Sequence, residues 1–100
     1  MSDSIITILC PGTLEEQLLD TLLVAPDVTL FTSAKVAAHG VSNDNLSASE
    51  QVLGRAALTQ VQVLCAAQQR GALLAALKTA FARSGLRYWV TPVLEQGDFS

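Results

Sequence analysis

His39 is the only histidine in the chain. With Gly40 behind it, it offers three kinds of chemistry: metal ligation, contact with a phosphate, or a change of charge near neutral pH. Arg55 and Arg87 add guanidinium groups, whose planar forks suit a phosphate or carboxylate. Gly54 reads as a helix stop or as a place where backbone comes close to an anion. The candidate ligand-binding residues are therefore His39, Gly40, Gly54, Arg55 and Arg87. Cys10 with His39 would suit a soft metal such as copper, so these two are the candidate metal ligands, and a trimer could bring Asp44 or Glu50 of another subunit close to them. The competing reading of Cys10 is a small buried hydrophobe.

Catalysis has no comparable set. A single histidine among the scattered hydroxyls of Ser42, Ser47 and Ser49 matches no nucleophile–base–orienter spacing. The glycine-rich phosphate motifs GxGxxG and GxxxxGKS are absent. No catalytic residue is assigned, and the chain is expected not to be an enzyme.

The elements that must position these residues follow from hydrophobic periodicity. Ser4–Cys10 is a short β-branched run closed by Pro11-Gly12, a first strand. Thr13 and Glu16 have the spacing of a capping box, opening a helix with Leu14, Leu18 and Leu22 on its apolar stripe and Pro26 beyond its end. Val28–Val36 is a second strand. Leu58–Ala66 alternates Val61, Val63 and Cys65 against Gln60 and Gln62, a third. A second helix is expected over about 67–84, with Leu73, Leu74, Leu77 and Phe81 on one face and Gly85 as its stop. Leu86–Leu94 is the last strand, where Pro92 marks an edge. Residues 95–100 read as a loose tail.

The order is βαβ twice. Right-handed crossovers then place both helices on one face of a four-stranded antiparallel sheet, an α+β, ferredoxin-like βαββαβ domain spanning residues 1–100. Strands one and four carry apolar residues on both alternations, so the second sheet face calls for cover by another subunit.

Between strands two and three lie about twenty residues, Ala37–Ala57, where a hairpin needs only about 2–5. Ser47 and Glu50 form a further capping-box spacing within it, which predicts one or two helical turns ending at Gly54. The topology places Cys10, the root of this loop (His39, Gly40), its return (Gly54, Arg55) and Arg87 along one edge of the sheet. Cys65 belongs at the opposite edge, about 20 Å from Cys10 at roughly 3.3 Å per strand residue. A disulfide between them is excluded, since its Cα atoms must come within about 7 Å.

Composition narrows the partners. The net charge is −3 with six Lys and Arg, which leaves no basic footprint for nucleic acid. No apolar run approaches the roughly 20 residues of a membrane span, and Met1–Ser4 lacks the positive start of a secretory leader. Two separated cysteines without a CxxC fit a reducing compartment, so a cytoplasmic protein is expected. Half of the residues are hydrophobic and 15% are charged, an apolar balance for so small a domain, in keeping with oligomerisation.

The series Phe31-Thr32-Ser33, His39-Gly40, Leu46-Ser47, Glu50-Gln51-Val52 and Gly54-Arg55, with Tyr88-Trp89-Val90 and Pro92-Val93-Leu94-Glu95, resembles a PII-like, CutA-related family of unknown function. Its members are often encoded beside heavy-metal efflux pumps. The resemblance implies a homotrimer in which Ala37–Ala57 corresponds to the long T-loop. It also implies a sensor or adaptor that binds a small anionic ligand, such as an adenine nucleotide, between subunits at the loop root and reports it to a membrane transporter or efflux pump. Two features depart from PII proteins: the turn Arg83–Arg87 lacks their phosphate loop, and residues 37–57 contain no tyrosine to be uridylylated. The alternative is a metal-binding accessory protein of metal resistance that uses His39.

Overall fold

The computed structural model describes residues 2–26, 28–40 and 55–100. The elements run β1 (Asp3–Pro11), α1 (Gly12–Val24), β2 (Val28–His39), β3 (Arg55–Cys65), a 3-10 turn (Ala67–Gln69), α2 (Arg70–Ala80) and β4 (Arg87–Val93). The strands form one sheet in the order β2-β3-β1-β4. Every neighbouring pair is antiparallel. This is the expected ferredoxin-like arrangement, with β1 and β3 in the middle and β4, which carries Pro92, on an edge where a missing N–H is tolerated.

The β-branched residues of β1 alternate between two faces. Ile6, Ile8 and Cys10 meet Val61, Val63 and Cys65 on one of them, and Leu18 and Leu22 of α1 and Leu73 and Leu77 of α2 close over the same face. Both helices therefore bury one apolar stripe each on a single side. Truncating one of these leucines to alanine would cost about 2–5 kcal/mol. Cys10 and Cys65 are free and buried. They pair with Thr59 and Ser4 respectively, at opposite ends of the central strands.

Three local expectations are corrected. α1 begins at Gly12 behind Pro11, whose φ of −68° and ψ of 154° set the entry, and no side chain caps it. Thr13 thus falls inside the first turn, too far along to act as the cap of the expected box. α2 stops at Ala80, with the Phe81 N–H bonded to the Leu77 carbonyl, short of the expected end near Ser84. The chain already turns left-handed at Arg83 (φ 63°), so Gly85 (φ 79°) shapes the turn into β4 rather than ending the helix.

The third correction concerns the loop. Its first and last three residues are strand: Ala37 pairs with Ala57, Ala38 with Ala56, and His39 with Arg55. The β2–β3 ladder thus runs four residues past the level of Cys10, which lies opposite Thr59. The short helix expected around Ser47–Glu50 lies outside the described residues.

Strand alternation puts Leu9, Leu30, Leu58, Leu64 and Trp89 on the sheet face away from the helices. Leu30 is 59% and Trp89 42% exposed. Among the described residues, no helix is long and apolar enough to cross a membrane.

Candidate functional site

The register of β4 on β1 positions the site. Arg87 lies opposite Leu9 and Trp89 opposite Thr7, so the guanidinium and the indole leave the same, helix-free face. Next along the sheet, Leu58 pairs with Pro11 on one side and Val36 on the other, and beyond it Ala56 pairs with Ala38. Small alanines where the ribbon leaves the sheet keep this end of the face hollow.

The result is a cavity of about 480 Å³, within the range of roughly 300–1,000 Å³ typical of small-molecule sites. Leu9, Pro11, Leu58, Ala38 and Ala56 make its apolar floor. Arg87, Trp89, His39, Gly40 and the Ser84–Gly85 turn stand around it. Gly40 has a φ of 78°, a left-handed conformation that lets the chain turn out of β2 directly after His39.

Arg87 carries a guanidinium cation, and among the described residues none that lines the cavity is acidic. Its fork can bind a phosphate or carboxylate through two hydrogen bonds. The Trp89 ring offers a face on which a planar group can stack. The Ser84 hydroxyl accepts a hydrogen bond from the Leu86 N–H at 3.2 Å, which holds the turn.

Three of the sequence candidates, His39, Gly40 and Arg87, thus line one cavity, although by strand register Ala38 is the open-face position and His39 alternates with it. Arg55 opens β3 directly opposite His39, and Gly54, like Asp44 and Glu50, lies outside the described residues. Cys10 is elsewhere: it faces the helices and is fully buried, and its thiol donates to the Pro11 carbonyl at 3.3 Å. Burial, and after it the Glu15 carboxylate, pushes that thiol up from its ordinary value. Four residues of strand, about 13 Å, separate the level of Cys10 from that of His39 within one chain. Among the described residues, no group of three or more His, Cys, Asp or Glu is placed to hold a metal ion.

Trp89 and Ser84 were not among the sequence candidates. Trp89 could have been found from strand period alone, since it stands two residues after Arg87 and so shares its face. Ser84 could not, because its place depends on where α2 stops.

The solved structures confirm the architecture. A crystal structure of a DUF3240 family protein from Shewanella baltica OS155 superposes with a TM-score of 0.81 at 18% identity, covering 100% of this chain and 99% of that one. A Bacillus cereus protein related to NIF3 gives a TM-score of 0.68 at 15% identity, covering 97% of this chain and 27% of that one. At these identities the likeness is one of fold. No curated protein matches. The family model for DUF3240, described as a protein of unknown function, matches residues 1–100, and this chain belongs to that family.

Proposed function

We propose that this protein is a PII-like sensor or adaptor, not an enzyme, that binds a small anionic ligand in the open-face cavity beside His39, Gly40, Arg87 and Trp89. One observation carries the reading: the Arg87 guanidinium and the Trp89 indole share a cavity at the foot of the β2–β3 ribbon, with no acidic side chain in its lining among the described residues. A phosphate or carboxylate on Arg87 and a planar ring on Trp89 describe an adenine nucleotide or a smaller aromatic anion. A ligand held there touches the last residues of β2 and the first of β3, and in this reading the segment that joins them reports the ligand to a partner. The identity of that partner, a heavy-metal efflux system, rests on the sequence resemblance.

The apolar side chains on the helix-free face, Leu30 and Trp89 among them, support assembly with further copies of this chain, a trimer in this reading. The cavity would then lie at the junction of subunits. Calorimetric titration with ATP, ADP, AMP and cyclic AMP tests the ligand. Heat from at least one of them, abolished in Arg87→Gln and weakened in Trp89→Ala, is expected. No heat from any of the four at near-millimolar concentration would remove the nucleotide reading.

A further inference from the structure

A second cavity, of about 270 Å³, lies on the other side of the sheet, beneath the C-terminal half of α2. The partly buried Leu74, Phe81 and Leu86 line it, over the core residues Ile8 and Leu77. Its mouth carries two exposed cations, Lys78 and Arg83. Among the described residues, no acidic side chain lines it and neither cation forms an ion pair. The Lys78 Nζ instead stands 5.5 Å from the centre of the Tyr88 ring, which also lines the cavity.

Arg83 adds an independent observation. Its φ of 63° is a left-handed conformation that a β-carbon disfavours. Glycine would adopt it freely, as Gly85 does two residues later. The chain places a cation at this position of the mouth, against local backbone preference. Residues held in such conformations concentrate where ligands are gripped.

We propose that this cavity binds a small amphipathic monoanion: a carboxylate with a short apolar tail. The tail lies against Leu74, Leu77, Phe81 and Leu86, and the carboxylate sits between Lys78 and Arg83 at the mouth. Size supports this class. At about 30 Å³ per water-sized heavy atom, the volume holds roughly nine heavy atoms, a medium-chain acid rather than a lipid or a nucleotide. Burial of the tail supplies attraction, and the two cations select the charged head and fix its orientation. The proposal is independent of the open-face site, which lies across the sheet.

Octanoate, octanol and acetate are the probes, titrated into the full chain by calorimetry and followed by NMR. Octanoate is expected to bind once per chain and shift the Tyr88 ring resonances, with acetate giving no saturable binding. Octanol should bind about five-fold more weakly, the effect of one well-placed exposed ion pair. Lys78→Gln should weaken octanoate by a similar factor. Arg83→Gly should do the same while its thermal midpoint holds or rises, because strain is relieved as the cation is lost. Lys35→Gln, which removes an exposed cation beside Glu15 on α1, should change nothing. Equal affinity for octanol, unchanged octanoate affinity in both Lys78→Gln and Arg83→Gly, or saturation without movement of the Tyr88 resonances would each overturn the proposal.

Discussion

The carboxylate of Asp3 accepts a hydrogen bond from the backbone N–H of Ala67 at 3.1 Å, joining positions 64 apart in sequence. Its other oxygen accepts from Gln96 at 3.2 Å. The next residue, Ser4, is buried and accepts from Arg70 Nη1 at 2.7 Å. The start of β1 thus fixes where the second βαβ half begins its helix. Asp3→Ala should lower stability by about 1 kcal/mol, as loss of a side-chain cap does. In a domain of this size that is a fall of roughly 4–8 °C in thermal midpoint. Unchanged urea unfolding would remove this role from Asp3.

Trp89 is the only tryptophan and is 42% exposed in the open-face cavity. A ligand stacked on it should change its emission and reduce its quenching by acrylamide. Titration of the chain with the nucleotide that gives heat in calorimetry provides the measurement. Emission that stays constant through saturation would place the ligand away from the indole.

The Cys10 thiol is held above its ordinary value of 9.0, first by burial and then by the Glu15 carboxylate. The folded chain therefore keeps a proton that the unfolded chain releases from about pH 9 upward. The stability this group contributes is intact below that pH and is lost as the pH climbs toward the raised value. The stability gap between wild type and Cys10→Ala should accordingly narrow between about pH 8 and pH 10. A gap that stays constant in urea titrations across that interval would contradict it. In the native chain, alkylation by iodoacetamide should be slow and should accelerate only on unfolding.

Light scattering is expected to return three times the mass of one chain. Leu30→Glu places a charge on an exposed, helix-free position and should give a smaller species with an unchanged far-UV spectrum. A wild-type monomer would leave the open-face cavity to be completed by one chain alone.

Most of the scaffold was legible because its periodicities are strong. Leu18 with Leu22 and Leu73 with Leu77 mark helical stripes, Val61 with Val63 marks a strand face, and Pro92 marks an edge. The extension of the hairpin was not legible, since Ala37, Ala38, Ala56 and Ala57 carry no alternation and their pairing is long-range. The end of α2 was hidden for the converse reason. Phe81-Ala82-Arg83-Ser84 is compatible with helix, and only packing toward β4 turns it out of register. At the site, topology alone brought His39, Gly40 and Arg87 to one end of the sheet. It also brought Cys10 to that end, and only the alternation of β1 assigns its thiol to the other face.

Ser84 and Gly85 border both cavities. A short turn, two of whose residues are left-handed, is therefore a common wall between an apolar compartment under α2 and an open one beside Trp89. Occupants of the two cavities would touch the same two residues. By whatever factor a guest on the helix side alters affinity on the open side, the open-side ligand alters the guest's affinity by the same factor. The turn at 83–85 is the place where the two faces of this sheet share residues.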